Sequence, residues 1–311
     1  MTAWMKDLRV HFGPTLQVAE PLSSYTTSRV GGPADALLTV SSAEALAEAA
    51  RYLWKENIPF TILGNGSNVL IPDEGLHQVV ILNRARDIVF REDPEAPSVS
   101  VESGVMLGDL ARKAAERGLS GLEWAAGIPG TVGGAIYGNA GAHGHEMSQN
   151  IILAEILHRD SGKGSLARED LDFAYRTSLL KKAPGRAVIL AATLALVKKT
   201  PEEVQECMRD LLDCRRRIQP AGASIGSMFR NPAGESAGRL IDNAGLKGVR
   251  SGGVVISEKH ANFMVNEVNG TASDYWNLIN LVKKTVSEKF NQSLELEVEL
   301  LGDWQKMEKT G

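Results

Sequence analysis

Between residues 127 and 144 the chain reads Gly-Ile-Pro-Gly-Thr-Val-Gly-Gly-Ala-Ile-Tyr-Gly-Asn-Ala-Gly-Ala-His-Gly, with seven glycines, where average usage of about 7% would place roughly one. Such a density serves close approach of backbone rather than packing. Without a Cβ the main chain takes positive φ and brings its N–H groups against a flat or anionic ligand. A second glycine-bearing loop, Gly64-Asn-Gly-Ser-Asn68, follows the apolar run Phe60-Thr-Ile-Leu63. Two such loops predict a large, extended, phosphorylated cofactor.

Composition narrows the class. The 311 residues allow about two domains. A net charge of -4 argues against a nucleic-acid binder, whose footprint is a clustered excess of Lys and Arg. The one basic cluster, Arg215-Arg216-Arg217, reads as a helix end or an anionic small-ligand contact. Cys207 and Cys214 are seven apart in a helical segment, on one face but two turns apart, too far for a disulfide. The N-terminus lacks the layout of a secretory signal. The longest nearly apolar run, 187–197, is too short for the ~20 residues of a membrane helix. A cytoplasmic enzyme acting on small molecules, without nucleic-acid or membrane partners and working as a monomer, is the expectation.

Residues 36–40 predict a strand, and a serine at 41 or 42 caps a helix over 44–57 whose apolar face is Ala45, Leu46, Ala49, Leu53 and Trp54. Pro59 stops it and 60–63 form the next strand, completing a β-α-β unit. Further strands are expected at 79–82 and 99–102, and a helix at 107–117 closed by Gly118. Alternation through this half is an α/β pattern. Beyond it, residues 151–157 and 187–197 flank a polar turn and loop region, and an amphipathic helix is expected over 201–217, with Val204, Cys207, Met208, Leu211 and Leu212 inward. A helix near 235–245, a Gly252-Gly253 turn, a strand at 263–265, a helix at 272–290 and a last strand at 294–300 complete the second domain, which starts near 200.

The Gly64 loop is not the dinucleotide fingerprint, because the third glycine of G-x-G-x-x-G and the acidic residue beyond it are missing. By itself it reads equally as a tight αL turn. Pro129-Gly-Thr131 before Val-Gly-Gly-Ala predicts a capped helix start, where orphan N–H groups and the helix dipole favour a diphosphate. His143 and His145 have no further ligands around them and read as loop residues, so no metal is expected.

Three polar positions have plain alternatives: Arg176 as a surface arginine beside Tyr175, Ser227 as a turn serine, and Glu297 as one of three glutamates on the solvated face of a strand. Spacing alone does not bring them together.

Taken in order, Gly64-Asn-Gly-Ser-Asn-Val-Leu, Gly127-Ile-Pro-Gly-Thr-Val-Gly-Gly-Ala, Tyr175-Arg-Thr-Ser, Gly226-Ser-Met-Phe-Arg-Asn-Pro and Leu294-Glu-Leu-Glu-Val resemble the UDP-N-acetylenolpyruvoylglucosamine reductase (MurB) family over roughly residues 25 to 302. Arg29-Val-Gly-Gly-Pro33 and Ser257-Glu-Lys-His-Ala-Asn-Phe263 are similar to further family blocks. The resemblance implies an α+β (α/β-like) protein: an FAD-binding domain of the vanillyl-alcohol-oxidase (PCMH) type over 1–199, in two subdomains divided near 80, and a C-terminal α+β substrate-binding domain over 200–311. It also implies non-covalent FAD, NADPH as co-substrate, and reduction of the enolpyruvyl ether of UDP-N-acetylglucosamine to UDP-N-acetylmuramate on the way to peptidoglycan, hence to cell-wall synthesis, cell shape and division.

By this resemblance the cofactor residues are Gly64, Asn65, Gly66, Ser67, Asn68, Gly127, Pro129, Gly130, Thr131, Gly133 and Gly134. Arg176 matches the cation that stabilises developing negative charge, Ser227 the proton donor and Glu297 the carboxylate that positions or stabilises the intermediate. Arg215 and Asn231 match substrate contacts. Ile218 departs from the basic residue frequent before Gln-Pro, where Arg216 or Arg217 can substitute, and Arg230 stands where lysine is frequent. The span from Arg176 to Thr200 is too short for a tyrosine-bearing insertion, which places the chain in the type II branch. Two rivals stay open: another flavoenzyme of the same domain type, and a non-catalytic nucleotide-binding module.

Overall fold

The computed structural model describes residues 4–304; the first three residues of the N-terminal reading and residues 305–311 lie outside the described residues. The chain divides into two compact units, each assembled from separate stretches. The first takes the chain up to Gln17, then Leu37–Asn65 and Gln78–Arg215; the second takes Val18–Ala36, Gly66–His77 and the chain from Arg216 onward. Compactness thus divides the chain differently from the functional division expected at residue 200, since the helix Pro201–Ile218 goes with the first unit as far as Arg215.

In the first unit, Ser42 caps the helix Ala43–Lys55 by accepting the Ala45 N–H at 3.1 Å, which satisfies one of the donors a helix start leaves open. Leu46, Ala49, Ala50 and Leu53 form its buried face. Asn57 at φ +52 reverses the chain before Pro59 is reached. The strand Phe60–Leu63 pairs in parallel with Leu76–Asn83, Phe60 opposite Val79. Leu76–Asn83 stands between that strand and Pro33–Val40, so the expected β-α-β unit is split by a third strand.

A five-stranded antiparallel sheet completes this unit, in the order Gly162–Ala167, Ile151–His158, Ala187–Ala195, Ser98–Glu102, Ile88–Arg91. Along Ala187–Ala195 burial alternates, with Val188, Leu190, Ala192 and Leu194 inward, as a strand with one covered face requires. The cover is the helix Leu107–Ala115, which Gly118 at φ +66 follows, and the short helix Val132–Gly138. The amphipathic helix Pro201–Ile218 forms as expected, but Cys207 is exposed rather than inward and Val204 is its one buried residue.

In the second unit, Ala223–Ser227, Phe263–Asn266, Val254–Ile256 and Arg250–Ser251 form an antiparallel sheet, the last two joined by the Gly252-Gly253 turn. The helix Ala272–Phe290 buries Tyr275, Leu278, Ile279, Val282 and Val286 in the same core. Thr271 and Asp274 close a capping box at its start, and Asp73 accepts the N–H groups of Ala272 and Ser273 at 2.8 and 3.0 Å. The expected strand over 294–300 contracts to Glu299–Leu300, parallel to Val69–Leu70. Its backbone changes partner along the way. Arg230 N–H donates to Glu295 O and Glu297 N–H to Met228 O, whereas Glu299 N–H donates to Asn68 O, and no single neighbour runs alongside long enough to extend a ladder.

Candidate functional site

In the first unit the two glycine loops meet. Asn65 Nδ2 donates to Pro129 O at 2.5 Å, and Arg84 Nη1 holds the Gly64 carbonyl at 2.7 Å. A Cβ at Gly64 would lie 2.5 Å from Thr131 Oγ1, and one at Gly133 would lie 2.9 Å from Ser103 Cβ. These glycines therefore make room for the protein's own chain. The open flanks belong to Gly134, where a Cβ would meet Thr131 Oγ1 at 3.6 Å, and Gly138, where it would meet nothing within 4 Å.

Thr131, 4% exposed, is the N-cap of Val132–Gly138 as expected. The helix start does not present orphan donors, however. Val132 N–H donates to Val105 O at 2.9 Å and Gly133 N–H to Ser103 O at 2.8 Å, while Gly134 N–H reaches Thr131 Oγ1 at 3.4 Å. The helix is knitted into the 103–105 turn, and that packing consumes the groups that would face an anion. Among the described residues nothing accepts from the N–H groups of Gly130 and Thr131, nor from those of Asn65, Gly66, Ser67 and Asn68. Four successive N–H groups, from Asn65 to Asn68, are thus uncommitted, and Gly66 among them holds φ +58.

At the other end of the same helix sits Arg176. Ala174 and Thr177 exchange backbone hydrogen bonds at 3.1 Å, leaving Tyr175 and Arg176 at the tip of a tight turn. Arg176 holds φ +57, a conformation that costs a non-glycine residue about 1–2 kcal/mol. Asn139 Nδ2 donates to Ala174 O at 3.1 Å, Ser178 Oγ to Tyr137 O at 2.8 Å, and Arg176 Nη2 to Gly141 O at 3.0 Å, so the turn is tied to the helix C-terminus. The guanidinium also lies over the Tyr175 ring, 5.2 Å from its centre.

Arg215 fills the space that Gly127 leaves open, since a Cβ there would lie 2.6 Å from Arg215 Cδ. Burial lowers the pKa of its guanidinium, and no carboxylate pairs with it among the described residues. A partly desolvated, unpaired cation next to a glycine suits an anionic ligand.

The second unit brings Ser227, Glu297 and Asn68 together. Ser227 follows a bulge in the pairing of Ala223–Ser227 with Phe263–Asn266, and Gly226 before it holds φ +86. One residue on, Met228 O accepts the Glu297 N–H at 2.9 Å. Asn68 Nδ2 then donates to Glu297 O at 3.2 Å, and Glu299 N–H returns to Asn68 O at 2.9 Å. Ser227 and Glu297 are half-buried. Gly66 is packed too tightly for a side chain, which would lie 2.3 Å from Tyr25 O. Asn231 spends its Oδ1 on the Ala237 N–H at 3.0 Å and is exposed.

Sequence reasoning gave Asn262 and Asn139 no role, though both are buried and both hold these segments by their side-chain amides. The available signal was a polar residue inside an apolar run, as in Ala261-Asn-Phe-Met-Val265. Among the described residues no helix is long and apolar enough to cross a membrane, and no three His, Cys, Asp or Glu side chains are grouped to hold a metal ion.

Two family models match the chain: an FAD binding domain over residues 34–163 and the UDP-N-acetylenolpyruvoylglucosamine reductase C-terminal domain over residues 219–301. The chain is 44% identical to a UDP-N-acetylenolpyruvoylglucosamine reductase of Bacillus subtilis over 286 residues, 91% of this chain and 93% of that one. It is 40% identical to one of Staphylococcus aureus over 292 residues, 94% of each. The crystal structure of the corresponding reductase from Thermus caldophilus superposes with a TM-score of 0.77 at 38% identity, covering 92% of this chain and all of that one.

Proposed function

Because the chain belongs to the UDP-N-acetylenolpyruvoylglucosamine reductase family, a flavin-dependent oxidoreductase family of peptidoglycan synthesis, we propose that it uses NADPH to reduce the enolpyruvyl ether of UDP-N-acetylglucosamine to UDP-N-acetylmuramate, with Ser227 as proton donor. We assign flavin binding to residues 1–199 and substrate binding to 200–311, in a monomer of the cytoplasm, where both small molecules are available.

The residues fit FAD. The uncommitted N–H groups of Asn65, Gly130 and Thr131 in the first unit would be donors for its diphosphate, and the open flanks of Gly134 and Gly138 would admit a flat ring. FAD, when bound, would provide the hydride chemistry, with NADPH as the source and the terminal carbon of the enol double bond as the acceptor. The protein's part follows from where charge then accumulates. The neighbouring carbon and its carboxylate become electron-rich, and the permanently charged Arg176 guanidinium offsets that charge. Ser227 Oγ delivers a proton to that carbon, which is basic enough to take it from so weak an acid, and solvent returns a proton to the serine oxygen. Glu297 orients the same carbon for transfer. The double bond has then gained a hydride and a proton, which balances the reduction. Arg215 and Asn231 bind the nucleotide sugar, with Arg216 or Arg217 in place of a basic residue at Ile218.

The backbone bond from Glu297 to Met228 carries this reading, since it sets a carboxylate-bearing residue beside a serine that no core requires. The test is anaerobic single turnover: reduced, purified holoprotein mixed with the enolpyruvyl UDP-sugar is expected to reoxidise with stoichiometric product. Absence of reoxidation rules the reaction out. Flavin that stays with the protein after acid precipitation would favour the rival class of covalent flavin oxidases.

A further inference from the structure

We propose that Asn262 is a positioning residue for the proton donor, holding the Ser227 hydroxyl in place through the backbone of residues 228–229. The inference rests on the assignment of Ser227 as donor. The Ser227 hydroxyl has no hydrogen-bond partner among the described residues, so its own contacts do not fix its position; the main chain does. That chain is irregular where it matters. The ladder between Ala223–Ser227 and Phe263–Asn266 shifts register between Ser224 and Ser227, and Gly226 at φ +86 leaves the serine at the end of a bulge, where a side chain is re-aimed but ladder bonds are lost.

Asn262 replaces those bonds. Met228 N–H donates to Asn262 O at 2.9 Å, Phe229 N–H to Asn262 Oδ1 at 2.9 Å, and Asn262 Nδ2 to Phe229 O at 2.8 Å. The side-chain amide thus acts as a peptide group, donating and accepting across Phe229 as a neighbouring strand would. It does so at 4% exposure, between Met228 at 0% and Phe229 at 1%, where water cannot stand in for a lost partner. Glu297 and Glu295 bind the opposite edge of the same segment. The residues that follow the serine are therefore held from both sides.

The test is Asn262→Asp, which keeps the acceptor for Phe229 N–H and turns the donor into an oxygen facing Phe229 O. Flavin content and thermal midpoint report the fold, and stopped flow separates flavin reduction by NADPH from reoxidation by the enolpyruvyl UDP-sugar. We expect flavin retained, reduction within about twofold, and reoxidation slowed about 10- to 100-fold, the scale of a sub-ångström to 1 Å misplacement, with a larger solvent deuterium isotope effect. In a Ser227→Ala background the same substitution is expected to change reoxidation by less than about twofold, since the group it positions is gone. Equal slowing of both half-reactions, or an undiminished effect in the Ser227→Ala background, overturns the proposal. If Asn262→Asp does not fold, Asn262→Ser is read by the same criteria, and if neither folds Asn262 is structural and the proposal falls. Fast reoxidation by Ser227→Ala itself would instead remove the donor assignment on which the inference rests.

Discussion

The main-chain N–H of Glu297 donates to the carbonyl of Met228 at 2.9 Å, tying residues roughly seventy positions apart in sequence at the point where Ser227 leaves its strand. The bond is made by backbone, so it does not depend on the functional group of either side chain. Each side chain can therefore be removed while the other stays placed, and their separate contributions can be read.

Ser227→Ala is expected to bind flavin normally and to be reduced by NADPH at nearly the wild-type rate, while reoxidation by the UDP-sugar slows by about 10²–10⁴-fold, the range for loss of a positioned acid. In the proposed mechanism only the second half-reaction draws on the Ser227 proton. Rapid-mixing absorbance of the flavin measures both, and an equal loss in the two would refute the role.

Arg176 presents the opposite case, a side chain held by a strained backbone. Arg176→Gly removes the penalty of φ +57, about 1–2 kcal/mol, and also the Tyr175 ring contact and the hydrogen bond to Gly141 O, the bond worth about 1.5–3 kcal/mol for a charged donor. The relief offsets most of the loss, so the unfolding midpoint is expected to fall by only a few degrees. Turnover is expected to fall about 10²–10³-fold, as when a preorganised charge-stabilising donor is lost. A loss of more than about 3 kcal/mol in unfolding free energy would show that the arginine is there for the fold.

Much of the scaffold was legible because its signals are local. The strand Phe60–Leu63 and the helix Ala272–Phe290 lie where the apolar pattern and the flanking caps put them. The last strand was not legible. The alternation Leu294-Glu-Leu-Glu-Val-Glu describes a ribbon with two faces, but strand length depends on neighbours, and here the partner changes from residues 228–230 to residue 68. Cys207 was misplaced for a related reason: periodicity gives a helix an apolar side without saying how much of it is covered. In the glycine tract the sequence pointed to close approach, and close approach is found, but at Gly64 and Gly133 the approaching group is the protein itself. Asn262 interrupts the apolar run 261–265, which marks it as an unusual residue, but a side chain imitating a strand has no periodic signature that would give its role.

That self-packing is testable at Gly64. Gly64→Ala sets a methyl group against Thr131 Oγ1, and overpacking of this kind costs about 1–3 kcal/mol. Thr131→Ala alone loses a helix cap worth about 1 kcal/mol. Combined, the cost is expected to be well below the sum, because without Oγ1 and Cγ2 the closest remaining atom is Thr131 Cβ at 3.3 Å. Urea unfolding of the four flavin-free proteins gives the coupling directly. Strict additivity would mean that the two loops do not press on each other.

A pH dependence follows from His260. Burial holds its imidazole below the ordinary value, and the nearby Lys247 charge acts in the same direction. Its Nδ1 accepts the Asn262 N–H at 3.3 Å, so a proton arriving there breaks a bond at the residue proposed to position Ser227. With the folded pKa below the unfolded one, near 6.5, the unfolded chain takes up the proton more readily. Stability is then complete above about pH 6.5 and declines as pH falls from there through the folded value. The thermal midpoint is expected to drop between pH 7 and pH 5, and His260→Asn, whose Oδ1 can still accept but does not titrate, is expected to flatten part of that drop. An identical pH profile in the variant would assign the acid sensitivity to other groups.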